Sequence, residues 1–438
     1  MTRQMGDYII AIDQSTSATK AMLFNDRCEM LQRVNVEHHQ YYPKAGWVEH
    51  DAEEIYANVI AAVKQLMKDA DMEASYSMAI TNQRETVVVW DKTTGHPVCN
   101  AVVWQCMRGV DICNELKAQG YGPMVMEKSG LLIDPYFSAS GVKWILDNVE
   151  GAREKADRGE LLMGTMDSWL IWKLTGGKRH VTDYTNASRT MLMNIHTLQW
   201  DDDLLRLFGI PRSMMPELLP CDGVFGDTVV EGLFLQPVAI AGVLGDSHGA
   251  LAGQMCFEAG LGKATYGTGS SVMVNIGEKA APAPDGLVTS IGFAALGKVF
   301  YAFEGNIHST GATLKWLQEQ GFDVVEHHLV TRDTVGDEVA WLAEHIRENE
   351  VPSDGLVLIY DDISYGQSLG TTAKFPRDSF AFKWEDEVRK TTIREIEWSP
   401  SRTGLINPVA IFDPVELEGT TVSLSLIHIS EPTRLRCI

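Results

Sequence analysis

The chain has 438 residues, of which 45% are hydrophobic and 22% are charged, and its formal net charge is −22. This length predicts two or three domains, each able to bury a core of its own. The acidic balance argues against a nucleic-acid-binding role for the chain as a whole, because binding to phosphates requires clustered Lys and Arg.

A β-hairpin is predicted at residues 8–25, where two apolar, β-prone runs flank the polar segment 13–20. This segment offers a carboxylate, several hydroxyls, backbone N–H groups and a lysine, which together can hold a metal ion and phosphate oxygens. It lacks the Gly-x-x-x-x-Gly-Lys pattern of the usual phosphate loop. A turn without a ligand is therefore an alternative interpretation.

A third strand is predicted within residues 28–42, and a helix follows it. Asp51 and Glu54 have the spacing of a capping box. Apolar residues between positions 56 and 67 recur on one helical face. The pattern therefore predicts an amphipathic helix that begins just after Asp51.

Polar residues at positions 82–86 follow the next predicted strand, residues 77–82. Ligands of α/β proteins lie at the carboxyl ends of strands, so this run is a candidate site, and a solvated turn is the alternative. Farther along, the sequence predicts an amphipathic helix at residues 164–174. A polar loop with helix-capping residues is predicted at 181–188.

A buried strand is predicted at residues 238–244, and Asp246 follows it with a run of small residues. A carboxylate in this position is well placed to act as a general base, whereas an N-cap of the following helix is the alternative. Residues 266–271 form a second hydroxyl-rich hairpin tip, in which Thr268 could donate to a phosphate oxygen. The two hairpins predict two related domains that face each other across a cleft.

Several segments together resemble the FGGY family of carbohydrate kinases. They follow one another through residues 7–315: AIDQSTSATKAMLF, ITNQRETVVVWD, NAVVWQCMR, DPYFSAS, GTMDSWLIWKLTGG, HVTDYTNASRTMLMNIHTLQWDD, GIPRSMMPE, GDSHGALAGQ and TYGTGSS. The resemblance implies an α/β fold of the actin/hexokinase-like type, built from ribonuclease-H-like domains. It also implies ATP-dependent phosphorylation of a small polyol, with glycerol as the first candidate.

The resemblance also assigns roles to individual residues. It places the ATP phosphates at Asp13, Thr16, Ser17, Lys20, Thr268, Gly269 and Gly311, and magnesium at Asp13 and Asp246. It places the polyol at Arg84, Glu85, Trp104, Tyr136, Asp246 and Ser247. Asp246 would be the general base that takes the proton from the attacking hydroxyl.

The sequence also departs from the pattern of the glycerol-phosphorylating members of this family. It has Ser15 in place of Gly, Lys20 in place of Arg, Gly141 in place of Lys, Ser247 in place of Gln and Ser271 in place of Phe. Serine at position 271 enlarges the pocket and makes it more polar. A larger polyol or a sugar is therefore an alternative substrate to glycerol.

Residues 317–423 resemble part of an NAD-dependent DNA ligase, the end of its adenylation domain and the start of its OB-fold. The resemblance depends on the motifs at residues 354–358, 381–384 and 401–404. The Lys-x-Asp-Gly motif whose lysine becomes adenylylated is missing from the sequence, so DNA ligation is the weaker alternative function. From the residues alone, a helix is predicted at 339–345.

Strands are predicted at residues 393–398 and 409–412 by their alternating apolar pattern. Lys383 is interpreted as a solvated strand residue, with a nucleotide contact as the alternative. The last fifteen residues, 424–438, resemble translated sequencing-adapter DNA.

The predicted organisation is an actin/hexokinase-like first domain with a truncated second domain, followed by a partial adenylation-domain and OB-fold fragment rich in β-structure. Its boundaries are 1–253 for the FGGY kinase N-terminal domain, 254–315 for the start of the C-terminal domain, 316–390 for the adenylation-domain end, 391–423 for the OB-fold start and 424–438 for a non-native tail. Two domains cut within their folds indicate a chimeric chain. A protein that binds polyol without turnover is therefore a further alternative.

The remaining expectations concern the cellular setting. Seven cysteines without a CxxC pair predict reduced thiols rather than a disulfide framework or a zinc site. No apolar run has the length of a signal peptide or a membrane span, so a cytoplasmic protein without a membrane partner is expected. The family resemblance implies ATP, Mg²⁺ and a small polyol or sugar as ligands, and a homo-oligomer as the assembly.

Overall fold

The computed structural model divides the chain into two units, Met1–Phe322 and Asp323–Ile438. The structure describes residues 7–68, 70–71, 73–230, 232–266, 270–307, 328–345, 355–361, 363–370, 377–383, 389–400, 406–417 and 420–426.

Strands outnumber helices in the described part of the first unit. The strands are β1 (Tyr8–Gln14), β2 (Ala18–Asn25), β3 (Met30–Glu37), β4 (Glu49–His50), β5 (Tyr76–Asn82), β6 (Val87–Asp91), β7 (Ala101–Val102), β8 (Leu161–Thr165), β9 (Val181–Asp183), β10 (Met193–Asn194), β11 (Gln199–Trp200), β12 (Glu217–Leu219), β13 (Gly226–Asp227), β14 (Ala239–Gly245), β15 (Gly262–Tyr266), β16 (Ser270–Gly277), β17 (Val288–Ala295) and β18 (Lys298–Ile307). The helices are α1 (Ala52–Leu66), α2 (Val110–Ala118), α3 (Gly122–Ser129), α4 (Ser138–Asn148), α5 (Ala152–Asp157), α6 (Met166–Leu174), α7 (Tyr184–Ala187), α8 (Asp202–Phe208) and α9 (Asp246–Gly253). Single 3₁₀ turns lie at Met107–Gly109 and Arg212–Met214.

The largest sheet has six strands in the order β13-β14-β5-β1-β2-β3. β1 is antiparallel to β2, which confirms the predicted hairpin, and parallel to β5, which is in turn parallel to β14. The register places Gln14 beside Asn82, and Asn82 beside Gly245. The polar segments that follow these three parallel strands therefore meet at one edge of the sheet.

Helix α1 covers this sheet, as its apolar periodicity predicts. Its buried residues include Ile55 and Val59, which belong to the same core as the side chains of β1. Asp51 caps the helix by accepting hydrogen bonds from the backbone N–H groups of Glu53 and Glu54. The second half of the predicted capping box was wrong, because the Glu54 carboxylate instead accepts two hydrogen bonds from His39.

Two predictions about interior segments were also wrong. The helix predicted at residues 164–174 begins at Met166, and only Trp172 and Lys173 within it are not buried, so it is not amphipathic. The loop predicted at residues 181–188 is β9 followed by α7, with Asp183 as the N-cap. The polar side chains in these segments are buried and bond to one another, so their polarity did not mark a surface.

A second, antiparallel sheet has the order β15-β16-β18-β17. Its first two strands form the predicted second hairpin, whose last pair is Tyr266 and Ser270. The tip of this hairpin, residues 267–269, lies outside the described residues. A further sheet, β4-β7-β6-β8, packs within the larger of two apolar cores through Val87, Val89 and Val102.

The second unit contains two helices and five strands in its described part. They are α10 (Val335–His345), α11 (Ile363–Ser368), β19 (Gly355–Ile359), β20 (Ser379–Lys383), β21 (Ile393–Pro400), β22 (Ile406–Leu417) and β23 (Thr420–Leu426). β19 pairs with β20, and β21, β22 and β23 form an antiparallel meander. The helix predicted at residues 339–345 and the strands predicted at 393–398 and 409–412 are confirmed.

Within the described ranges, the helices are all too short or too polar to cross a membrane. Six cysteines fall in these ranges, and each has a free thiol. Cys221 is among the buried ones, and its thiol contacts the polar segment around Asp183.

Candidate active site

A cavity of about 420 Å³ opens where the three parallel strands of the six-stranded sheet end. Its wall consists of Ser15, Thr16, Ser17, Lys20, Arg84, Glu85, Trp104, Tyr136, Asp246, Ser247, Thr265, Ser270, Ser271, Asn306 and Ile307. The wall includes all six residues predicted to contact a polyol and three of those predicted to contact phosphates. Residues far apart in the sequence thus converge on one concave surface.

The other predicted phosphate residues have different locations. Asp13 is not among the residues of the cavity wall, and its carboxylate accepts a 2.8 Å hydrogen bond from Lys20 Nζ across the hairpin. Thr268, Gly269 and Gly311 lie outside the described residues, so their roles stay predictions. Lys20 therefore serves both as a cavity residue and as the partner of Asp13.

Arg84 follows β5 and is held by a carboxylate that sequence reasoning missed. Its two terminal nitrogens donate to both oxygens of Glu304, at 2.8 and 2.6 Å. Glu304 lies on β18 and is 1% exposed. Burial alone would raise the pKa of Glu304, but the guanidinium groups of Arg189 and Arg84 outweigh it and hold this pKa well below the ordinary value. Glu304 is therefore a buried anion that fixes the orientation of Arg84.

Glu85 is held in the same buried network. Its Oε1 accepts a 2.6 Å hydrogen bond from Arg189 Nε, and its backbone carbonyl accepts one from Ser138 Oγ. Arg189 Nη1 also lies 2.8 Å from Glu304 Oε2, as an ion pair without an aligned hydrogen bond. Glu85 has a φ of 63°, a left-handed conformation that is unfavourable for a residue with a Cβ. Such strain persists only where surrounding contacts enforce it, as they do here.

Asp246 is the first residue of α9, whose N-cap is Gly245, so the N-cap interpretation of Asp246 was wrong. Its Oδ1 lies 3.2 Å from Arg84 Nε, and 42% of its side chain is open toward the cavity. Burial raises the pKa of Asp246 and the charge of Asp13 adds to this effect, whereas Arg84 and the N–H of Ser247 oppose it. A carboxylate with a raised pKa is a better proton acceptor than an ordinary aspartate.

Lys263 supports the wall on the side of the second sheet. Its Nζ donates to Thr265 Oγ1 at 2.9 Å and to Ser271 Oγ at 3.3 Å. The hydroxyl of Ser271 donates in turn to Glu304 Oε1 at 3.2 Å. Burial lowers the pKa of Lys263 to about 8, and the nearby charge of Arg84 acts in the same direction. A serine at position 271 therefore links this lysine to the buried carboxylate.

The tip of the first hairpin is fastened to the aromatic wall of the cavity. Trp104 Nε1 donates to Thr16 Oγ1 at 3.0 Å, and Trp104 packs edge-on against Tyr136 with ring centroids 5.6 Å apart. On the other side, the ring nitrogen Nε2 of His38 lies 2.9 Å from the carbonyl oxygen of Thr16, and the backbone N–H of His38 donates to the carbonyl oxygen of Ser17. The predicted polyol residues and the predicted phosphate hairpin therefore form a continuous surface.

Glu304, Arg189 and Lys263 are the site residues that sequence reasoning missed. A buried Arg84 requires an anionic partner, but Glu304 is 220 positions away and no local pattern connects the two. Arg189 directly follows the segment 181–188, which was predicted to be a polar loop, and was assigned no role. The one signal in the sequence was that a buried arginine needs an anionic partner. This requirement indicates that such a partner exists but does not identify it.

We expect Gly245→Ala to displace Arg84, one of the predicted polyol contacts, and thereby to weaken the predicted binding of glycerol at least tenfold, on the order of the 1–3 kcal/mol lost when a well-placed charged contact is broken. A Cβ at position 245 would lie 2.7 Å from Cγ and 2.8 Å from Cδ of Arg84. Arg84 cannot move aside freely, because it is tied to Glu304 and Asp246. Calorimetric titration with glycerol measures the effect.

Gly253→Ala is the matched control, since it lies on the same helix and a Cβ there meets no atom within 4 Å. It should bind polyol as the unaltered chain does. Equal affinities for the Gly245 and Gly253 variants would contradict the close packing of Arg84 against residue 245.

A mixed six-stranded sheet whose parallel strands end at a cavity, facing a second sheet, defines the class of actin/hexokinase-like α/β kinases. Among solved structures, the glycerol kinase of Plasmodium falciparum with ADP aligns with a TM-score of 0.68 and 31% identity, covering 86% of this chain and 72% of that one. Gluconate kinase from Lactobacillus acidophilus aligns with a TM-score of 0.66 and 19% identity, covering 81% of this chain and 68% of that one. At this identity the alignment supports the fold alone.

The sequence profile of the FGGY family of carbohydrate kinases, N-terminal domain, matches residues 8–253. The chain belongs to the FGGY family of carbohydrate kinases. Curated relatives include glycerol kinases of Bacillus thuringiensis (strain Al Hakam) and Bacillus cereus (strain 03BB102), each 53% identical over 317 residues, or 72% of this chain. The chain spans 64% of the length of these relatives.

A second profile, the NAD-dependent DNA ligase adenylation domain, matches residues 294–387 and confirms the predicted ligase resemblance. The match begins earlier than the predicted position 317. Its first residues fall in β17 and β18, which pair with each other in the second sheet of the first unit. The motif positions 354, 384 and 401–404 lie outside the described residues.

Proposed function

We propose that this chain catalyses ATP-dependent phosphorylation of a small polyol, with glycerol as the first substrate to test and glycerol 3-phosphate as its product. The observation that supports this proposal most is the position of Asp246, whose carboxylate faces the cavity beside Arg84. The hydroxyl-rich hairpin tip at Thr16 lines the same cavity. One cavity thus combines a proton acceptor with predicted contacts for the polyol and for the phosphates.

Arg84, Glu85, Trp104 and Tyr136 would bind the polyol. The charged pair provides fixed donors and acceptors for adjacent hydroxyls, and its orientation is set by the buried network. The two aromatic rings provide an apolar wall that fits the carbon chain and excludes water. Binding therefore positions one hydroxyl close to Asp246.

Asp246 would act as the general base. The hydroxyl oxygen attacks the γ-phosphorus of ATP while the bond from this phosphorus to the β–γ bridging oxygen breaks. The hydroxyl proton passes to Asp246, and ADP leaves. Because phosphoryl transfer depends mainly on positioning and charge stabilisation, a rigid site contributes as much as the base itself.

Thr16, Ser17 and Lys20 would hold the ATP phosphates, together with Thr268, Gly269 and Gly311. Hydroxyls and an ammonium group of this kind suit phosphate oxygens. Among the residues that the structure describes, there is no cluster of three metal-ligating side chains. Mg²⁺ bound with a nucleotide commonly uses one or two carboxylates besides phosphates and water, so Asp13 and Asp246 fit this requirement. The ion would neutralise phosphate charge during transfer.

The polar corner at Ser271 favours a substrate larger than glycerol as a second possibility. Ser271→Phe fills this corner. We expect it to lower kcat/KM for four- and five-carbon polyols relative to glycerol by about tenfold or more, which is the scale at which a pocket distinguishes substrates that differ by one methylene group. Ser271→Ala removes the hydroxyl without filling the space. A panel of polyols assayed by ADP release distinguishes the two variants.

If Ser271→Phe leaves the ratio of longer polyols to glycerol unchanged, the proposed role of this corner is contradicted. If Ser271→Ala matches Ser271→Phe, the hydroxyl and not the volume sets the preference.

Calorimetry with glycerol and ATP added separately tests the proposed function itself. Binding of both ligands supports a kinase. Glycerol binding without ATP binding would instead support a protein that holds polyol without turnover. DNA ligation is disfavoured because the sequence contains no Lys-x-Asp-Gly motif to form the adenylyl intermediate.

A further inference from the structure

We infer that Asp183 and Thr185, which lie outside the cavity, are positioning residues that fix the two segments bearing Arg84 and Asp246. The inference rests on the proposed function, because it gives these two residues a role in that reaction. Neither contributes to the cavity wall, and both are fully buried. They belong to the segment that the sequence pattern predicted to be a loop.

The carboxylate of Asp183 is surrounded by hydrogen-bond donors. Its Oδ2 accepts from the N–H and hydroxyl of Thr185, at 2.7 and 2.6 Å, and from the thiol of Cys221 at 3.3 Å. Its Oδ1 accepts from the N–H and side-chain amide of Asn186, at 3.0 and 2.8 Å. A buried anion with this many donors resists displacement, because moving it breaks several charge-assisted bonds together.

Thr185 connects this carboxylate to the end of β14. Its hydroxyl donates to Asp183 and accepts a 2.9 Å hydrogen bond from the N–H of Gly245, the last residue of β14. Gly245 directly precedes Asp246. The backbone that enters Asp246 is thus fixed by a residue outside the cavity wall.

Asn186 connects the same carboxylate to the loop after β5. The side chains of Asn186 and Asn82 form a reciprocal amide pair with two 3.0 Å hydrogen bonds. The amide of Asn82 also donates to the carbonyl of Gln83 at 2.9 Å, and Gln83 directly precedes Arg84. One buried carboxylate therefore sets the positions of the loop after β5 and of the junction between β14 and α9, and with them the 3.2 Å contact between Arg84 and Asp246.

Thr185→Val tests this role, since valine has the shape of threonine but no hydroxyl. Thr182→Val is the matched control. Thr182 is 1% exposed and donates at 2.6 Å to Asp167, a neighbouring buried carboxylate, and its other contact, to the backbone carbonyl oxygen of Asp183, is long at 3.5 Å. The partners of Asp167 are Thr165, Thr182 and the Ser168 N–H, none of which lies in the segments that bear Arg84 and Asp246. Both variants remove one buried hydroxyl from a carboxylate, but Thr185→Val also removes the acceptor of the Gly245 N–H.

Amide hydrogen exchange of the segment 244–246 gives a readout that does not depend on turnover. We expect Thr185→Val to accelerate exchange there by about tenfold or more, because the Gly245 N–H loses its acceptor. Thr182→Val should leave the exchange rate of this segment unchanged, even if it lowers the melting temperature as much as Thr185→Val does. Thr185→Ser, which keeps the hydroxyl, should restore protection.

The affinity for glycerol gives the second readout. Loosening the contact between Asp246 and Arg84 displaces Arg84, a proposed polyol contact, so Thr185→Val should bind glycerol more weakly than the unaltered chain and Thr182→Val do. A purely structural role would change the amount of folded protein and leave the affinity of the folded chain in place.

Three results would overturn the inference: equal exchange in the Thr185→Val and Thr182→Val chains, faster exchange without weaker glycerol binding, or no rescue by Thr185→Ser. If the unaltered chain phosphorylates no polyol, the proposed function fails on its own. In that case, exchange and glycerol affinity decide the positioning role. Weaker glycerol binding in Thr185→Val, but not in Thr182→Val, then supports it, and equal affinity overturns it.

Discussion

Asp246→Asn should remove turnover while leaving polyol affinity within a few-fold of the unaltered chain. The amide keeps the size of the side chain in the cavity but cannot take the hydroxyl proton. General-base catalysis of this kind contributes about 10²- to 10⁴-fold, so kcat should fall by that factor. Steady-state ADP release gives kcat, and calorimetry with glycerol gives the affinity.

Asp147→Asn is the control for this prediction. Asp147 is also a carboxylate paired with an arginine, Arg153, but it lies on the surface away from the cavity. Its variant should keep full activity. If Asp246→Asn retains turnover, the assignment of Asp246 as the general base is contradicted.

Glu304→Gln should destabilise the first unit by about 3–5 kcal/mol, the typical cost of removing one partner from a buried ion pair. Glu304 is 1% exposed and is shared by Arg84 and Arg189, whose side chains are 4% and 0% exposed. The neutral amide leaves two buried guanidinium groups with less compensating charge. Denaturant unfolding at neutral pH measures the loss.

The pH dependence of unfolding tests the same residue. The folded pKa of Glu304 lies well below the ordinary value of 4.5, so its stabilisation is present above that value and is lost as pH falls toward the folded pKa. Glu304→Gln should lack this part of the acid destabilisation. Glu278→Gln, which breaks an exposed pair with Lys298, should cost less than about 1 kcal/mol. If Glu304→Gln and Glu278→Gln lose the same free energy of unfolding, the proposed role of Glu304 is contradicted.

The sequence was informative where chemistry and local pattern coincide. The hairpin at β1 and β2, the strand β5 and the strand β14 were predicted, and their register brings the polar segments after them to one edge of the sheet. The family resemblance then identified Arg84 and Asp246 as site residues. The structure brings their side chains into contact at 3.2 Å.

The remaining features depend on contacts between distant segments. Glu304 comes from a strand 220 residues beyond Arg84, and no single-sequence pattern pairs them. The segment 181–188 was predicted to be a polar loop with helix-capping residues; Asp183 does cap α7, yet it and its neighbours also bond to one another inside the fold. Burial of polar groups depends on partners that only the folded chain supplies.

The proposed phosphorylation is tested most directly by ³¹P NMR of the purified chain with ATP, Mg²⁺ and glycerol. A phosphate monoester of glycerol should appear together with an equal amount of ADP, and both should form at least about a hundredfold more slowly in Asp246→Asn. A spectrum in which ATP persists in the presence of bound glycerol would contradict the proposed function.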